Sequence, residues 1–182
     1  LKNKKANLYC STLKRTIQTS QVILSETSDI FTNYVSLKIL DEIDAGLRDG
    51  YSYKEIEEKF PDEFYDREID KLNYRYPRGE SYMDLIKRIE PMIYEIERSK
   101  QPLVIVGHQA MLRCLYGYFA DTLLEDIPTM NIPLNTVIKF TPKDSGYVQE
   151  SIYFDLKTEE FKPIDINVHF NECKNYFIIS DI

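Results

Sequence analysis

The chain has 182 residues, 43% hydrophobic and 29% charged, with 23 Lys and Arg against 30 Asp and Glu for a net charge of −7. That balance argues against general nucleic-acid binding, and no apolar run approaches the roughly 20 residues that span a bilayer. The opening stretch is polar and lysine-rich, with no visible signal peptide, and Cys10, Cys114 and Cys173 are too scattered for a zinc or redox pair, so reduced thiols in a cytoplasmic setting are expected.

In chain order, "ANLYCS" (6–11) reads as a short strand. "TLKRTIQTSQVILSE" follows as a helix, with Leu13, Ile17 and residues 22–24 at roughly helical spacing. Residues 25–36 read as a loop or irregular helix, and "LKIL" (37–40) as a second strand ending at "DEIDAG". Ser52 and Glu55 form a capping box for a helix through Phe60, and Pro61 ends that helix or starts the next. "NYRYPRGES" is a turn region around Pro77 and Gly79. Ser81 and Asp84 cap a long helix with an apolar stripe at 85, 86, 89, 92, 93 and 96, which Pro91 should kink. "PLVIV" is a buried strand and "AMLRCLYGYFA" a helix. "TVIKFTP" and "ESIYFDL", joined through "KDSG", suggest a hairpin. Periodicity is weak after residue 156. No repeat or linker is visible, so the expectation is one domain over residues 1–155 with a tail over 156–182. Strands alternating with helices indicate an α/β layer fold with a mainly parallel sheet flanked by helices. Ligands of such folds bind beyond the carboxyl ends of the strands.

Three candidates cluster at those ends. His108 follows the apolar strand and opens the next helix, whose free N–H groups favour anions; Gly107 before it permits close approach of a ligand or of another backbone. Alone, a histidine there is more often structural. Arg15 can grip a phosphate through two bonds, or be a surface arginine. Glu42, between apolar residues, can have a raised pKa and protonate a leaving oxygen, or serve as a helix cap or ion-pair partner. Asp44 fits a turn before Gly46. Arg67, Lys71, Arg75 and Arg78 make a cationic stretch diluted by acidic neighbours.

"STLKRTIQTS", "LDEIDAG", "YRYPRGESY" and "VGHQAMLRCLYGYF", in that order, resemble the bisphosphatase domain of the 6-phosphofructo-2-kinase/fructose-2,6-bisphosphatase family, a branch of the histidine phosphatases, from about residue 7 to about residue 155. The resemblance implies a three-layer, phosphoglycerate mutase-like α/β fold. It implies that Arg15 clamps phosphate, that Glu42 protonates the departing sugar oxygen and that His108 steadies the transferring phosphoryl group. Tyr53, Arg67, Lys71, Tyr82, Gln109 and Arg113 match residues that hold the fructose 6-phosphate portion. The implied reaction turns fructose 2,6-bisphosphate into fructose 6-phosphate and phosphate through a phosphohistidine, with no metal and no cofactor.

The sequence departs from that pattern in one respect. The family's nucleophile lies in an Arg-His-Gly motif at the end of the first strand, upstream of "KRT", and the chain does not contain it. His169 lacks the flanking arginine and glycine. The expectation is therefore a portion of a longer polypeptide with its first strand missing, inactive alone. A fused kinase domain using ATP precedes this module in the bifunctional members, and no Gly-x-x-x-x-Gly-Lys loop occurs here. Two other readings stand beside it: a phosphoglycerate mutase-like phosphatase of different substrate, and a non-catalytic sugar-phosphate-binding module. Oligomeric state is left open.

Overall fold

Alternation at Ala6, Leu8 and Cys10, all fully buried, makes β1 (Ala6–Cys10) the centre of a sheet. The computed structural model describes residues 5–27 and 29–164. The chain divides into two compact units, Leu1–Leu115 and Tyr116–Ile182. In the first, β1 pairs in parallel with β2 (Phe31–Ser36) on one side and β3 (Leu103–Val106) on the other, giving the order β2-β1-β3. Helix α1 (Lys14–Thr27) packs against all three strands.

The second strand is thus residues 31–36, where a loop or irregular helix is expected, and not "LKIL". Lys38–Leu40 instead forms a 3-10 turn that buries Leu40. The reason is edge position. Residues 32–36 of β2 are all exposed, so "FTNYVS" shows no core-facing alternation; backbone pairing to β1 holds it, with the Asn33 amide donating to the Asn7 side chain at 3.0 Å. Leu37 N–H donates to the Cys10 carbonyl at 2.8 Å, and the chain then turns. At the other edge, β3 is wholly apolar yet pairs only with β1 among the described residues, and its four residues are half-buried.

The helices begin where local chemistry places them. Ser52 and Glu55 complete both arms of a capping box at α2 (Tyr53–Lys59), and Pro61 opens α3 (Pro61–Ile69) rather than ending its predecessor. Ser81 and Asp84 form the same box at α4 (Tyr82–Arg98), which buries Leu85, Ile89, Met92 and Ile93 and continues through Pro91. The loops before α2 and α4 touch backbone to backbone. Leu47 N–H donates to the Pro77 carbonyl at 2.9 Å, and Glu80 N–H to the Asp44 carbonyl at 2.8 Å. A Cβ on Gly79 would lie 2.3 Å from the Asp44 carbonyl oxygen, so only glycine permits this approach. Asp44 takes the expected turn role, its Oδ1 accepting Gly46 N–H at 2.8 Å.

Helix α5 (Gln109–Phe119) follows β3 directly, and the boundary between the units falls within it. The second unit contains the expected hairpin, β4 (Thr136–Lys143) and β5 (Gly146–Asp155), turning at residues 144–145 with Gly146 at φ +113°. The stretch after 156 then adds a third antiparallel strand, β6 (Glu160–Pro163), where weak periodicity gave no sign of one. Three of its four side chains are exposed, so backbone pairing rather than burial makes it a strand. Phe119, Phe140 and Tyr147 pack ring to ring beside this sheet. Among the described residues no helix is long and apolar enough to cross a membrane.

Candidate active site

The site forms where β3 ends and α5 begins. His108 is the residue before the helix, its carbonyl accepting the Leu112 N–H at 2.8 Å. Its ring is buried and both ring nitrogens are engaged: Arg15 Nε donates to Nδ1 at 2.9 Å, and Ser11 Oγ lies 2.7 Å from Nε2. Burial first, and then the Arg15 charge, hold the imidazole down at about 4, against a smaller upward pull from Asp41, so it is neutral near pH 7. Arg15 comes from the first turn of α1 and is exposed. Its two terminal amino groups have no hydrogen-bond partner among the described residues, as an anion ligand requires.

Glu42 reaches the same helix start. Its Oε2 accepts Ala110 N–H and its Oε1 accepts Met111 N–H, each at 3.2 Å, while Ile43 N–H also donates to Oε1 at 2.9 Å. Backbone donors, rather than the apolar surroundings expected, meet this carboxylate, and it caps α5 from 68 residues away. The space above Gly107 is taken by a neighbouring side chain: a Cβ there would lie 1.9 Å from Met111 Cε.

Arg88, in the second turn of α4, holds the Glu42 loop in place. Its guanidinium donates to the carbonyls of Ile39 (2.9 Å), Asp41 (3.1 Å) and Glu42 (3.2 Å), and grips Glu80 at 2.7 and 3.0 Å. Sequence reasoning missed it, since an arginine on an amphipathic helix carries no local sign of such partners. Thr16 carries no such sign either, and Ser11 enters only as the last residue of "ANLYCS".

Away from His108 the site becomes cationic and tyrosine-rich. Arg113, one turn into α5, donates to Tyr82 Oη at 2.8 Å. Arg67 is buried on α3, where Nε donates to Tyr76 Oη at 2.8 Å and Nη2 to Tyr53 Oη at 3.3 Å, with its guanidinium 4.7 Å from the Tyr53 ring centre. Lys71 is half-buried near both arginines. Its ammonium is pushed down to about 8, by burial first and then by Arg67 and Arg113, with Glu68 opposing. Gln109 opens α5 next to His108. The predicted cationic stretch therefore splits. Arg67 and Lys71 join the site with Arg113, whereas Arg75 pairs with Asp84 at 2.5 Å and Arg78 is exposed.

The arrangement offers an arginine with unpaired N–H groups, a carboxylate and a neutral imidazole at one end, and three gathered cations at the other. That suits an organic molecule carrying two anionic groups.

Residues 1–154 match the sequence profile described as the histidine phosphatase superfamily, branch 1. The chain is 47% identical over 150 residues to a 6-phosphofructo-2-kinase/fructose-2,6-bisphosphatase of Arabidopsis thaliana, covering 82% of this chain and 19% of that protein. It is 43% identical over 164 residues to 6-phosphofructo-2-kinase/fructose-2,6-bisphosphatase 1 of Homo sapiens, covering 88% and 33%. The chain thus spans about a fifth to a third of the length of these relatives. Among solved structures it resembles YhfR of Bacillus stearothermophilus (25% identity, TM-score 0.58, covering 88% of this chain and 73% of that one). It also shares its fold with the alpha-ribazole phosphatase of Shigella flexneri (16% identity, TM-score 0.63, covering 83% and 68%).

Proposed function

The chain belongs to the histidine phosphatase superfamily, and from that premise we propose that it carries the sugar-phosphate site of a fructose-2,6-bisphosphate 2-phosphatase. The observation that carries this reading is the gathering of cations in two places, Arg15 against His108 and Lys71 with Arg67 and Arg113. The gathered Lys71, Arg67 and Arg113 receive the 6-phosphate as a remote handle, whose binding energy positions the other end. Arg15 holds the 2-phosphoryl group with its terminal amino groups; His108, expected to steady that group itself, has both nitrogens engaged and acts through Arg15 instead. The acceptor in this reading is the imidazole of the family's Arg-His-Gly motif, which the given sequence does not include: a P–N bond forms to it as the P–O bond breaks. The electron pair leaves with the sugar oxygen, which takes its proton from Glu42. Water then attacks phosphorus, the P–N bond breaks, and the Glu42 carboxylate takes up the water proton. His108 is not that acceptor in this reading, because both its nitrogens are engaged; it is the only histidine among the described residues.

Fructose 6-phosphate binding, followed by titration calorimetry, tests the handle. Lys71→Ala should weaken it roughly ten- to a hundredfold, the range of one charged hydrogen bond at about 1.5–3 kcal/mol. Unchanged affinity sinks the assignment. Lys71 is the right probe, since Arg67 also ties together Tyr53 and Tyr76.

A second reading is a sugar-phosphate-binding module without turnover. The engagement of Glu42 as a cap and of His108 at both nitrogens favours it. Fructose 2,6-bisphosphate labelled at the 2-phosphate separates the two. With an Arg-His-Gly segment supplied in the same polypeptide, acid-labile phosphoprotein or released phosphate supports the phosphatase, and tight binding with neither supports the module.

A further inference from the structure

We propose that Ser11, backed by Thr16, is a positioning residue that fixes His108 as its Nε2–H tautomer and thereby aims the Arg15 guanidinium.

The chain of donors admits one assignment. Arg15 Nε can only donate, so His108 Nδ1, 2.9 Å away, must present a lone pair. A neutral ring then carries its proton on Nε2, which donates to Ser11 Oγ at 2.7 Å. Ser11 Oγ also accepts Leu13 N–H at 3.1 Å, so its own proton must go to Thr16 Oγ1 at 2.6 Å. The Thr16 hydroxyl in turn donates to the Leu13 carbonyl at 2.9 Å. The Ser11 carbonyl, 3.3 Å from Thr16 Oγ1, is a second and longer acceptor for that last proton and leaves the order of the others unchanged. Ser11, Thr16 and His108 are 0%, 3% and 5% exposed, so no solvent competes for these groups.

Reversing the tautomer has a stated cost. A proton on Nδ1 would face the Arg15 N–H head-on and leave Nε2 needing a donor that Ser11 can supply only by abandoning Thr16. The first strands the Nδ1–H of a buried ring, and the second costs the Thr16 hydroxyl its bond to the Leu13 carbonyl. With the ring fixed, the Arg15 side chain is held at Nε, and its terminal amino groups, which have no partner among the described residues, keep one orientation. Only this last step rests on reading Arg15 as a phosphate ligand.

Nitrogen-15 NMR of the imidazole rings in the full chain tests the relay without any turnover. The chain has two histidines, so the signal lost in His108→Asn identifies the ring. At pH 7 the native protein should show one protonated Nε2 and one unprotonated Nδ1. Ser11→Ala and Thr16→Val should each give averaged or reversed tautomers, whereas Thr16→Ser, which keeps the hydroxyl, should restore the native pattern. Thr16→Val keeps the volume of the side chain and so serves if Ser11→Ala does not fold. An averaged ring in the native protein, or a native pattern in a folded Thr16→Val variant, overturns the proposal. Inorganic phosphate titrated into the same samples tests the consequence. Affinity should fall about tenfold in the variants that lose the tautomer, one charged hydrogen bond's worth. A shifted tautomer with unchanged phosphate affinity rejects the aiming of Arg15, and an intact relay without phosphate binding rejects the functional reading instead.

Discussion

Lys71 makes the sharpest single-residue test of an anion seat, because its surroundings already strain its charge. Its ammonium is held down at about 8 by burial, Arg67 and Arg113. A phosphate brought among these cations reverses the balance and raises the value again. Binding should therefore take up a proton above about pH 8, and sugar-phosphate affinity should stay level below that pH and weaken as pH rises through it. Calorimetry in two buffers of different ionisation heat measures the uptake directly; proton release, or none, contradicts the arrangement. His108 illustrates the opposite use of burial. It is held neutral by the same kind of environment, and its value lies in what its nitrogens hold.

At the level of elements, the site depends on two loops fastened to each other. The segments "LDEIDAG" and "YRYPRGESY" meet backbone to backbone at Gly46 and Gly79, and Arg88 ties the first to α4. Gly79→Ala should destabilise the protein by about 1–3 kcal/mol, as overpacking does, read as a lower urea midpoint, with a loss of sugar-phosphate binding as the Glu42 loop moves. A variant with native stability would show that the loops separate freely. Local chemistry made much of this scaffold legible in the sequence. Ser52 with Glu55, Ser81 with Asp84 and the hairpin at residues 144–145 announce themselves within four residues. What escaped was decided by distant partners. β2 is held by β1 and shows no pattern of its own, so the short apolar "LKIL" carries the stronger strand signal. Arg15, Glu42 and His108 could be singled out by residue type and position. The bond between Arg15 and His108, across 93 residues, and the reach of Glu42 to the start of α5 could not. Nor could Arg88, which reads as an ordinary charged helix residue until its carbonyl partners are in place.

Across the whole molecule, the titrating groups set an order for acid unfolding. His108 is held at about 4 when folded against about 6.5 when free, so the unfolded chain binds the proton first. Its contribution is complete above about pH 6.5 and is lost as pH falls toward 4. Glu55, Glu63, Asp84 and Asp155 lie below their ordinary values, the last at about 2, so their contributions are lost further down, below about pH 4. Urea midpoints measured across this range should fall in two stages, and His108→Asn should flatten only the upper one. A single stage below pH 4 in the native protein would place the imidazole in contact with water. The sheet of the first unit carries a different consequence. With one edge of β3 joined to β1 and the other without a described partner, its amides fall into two alternating sets. Those directed at β1 should retain deuterium-exchangeable protons for hours, while their neighbours along residues 103–106 surrender them as fast as a frayed terminus, for as long as nothing lies alongside.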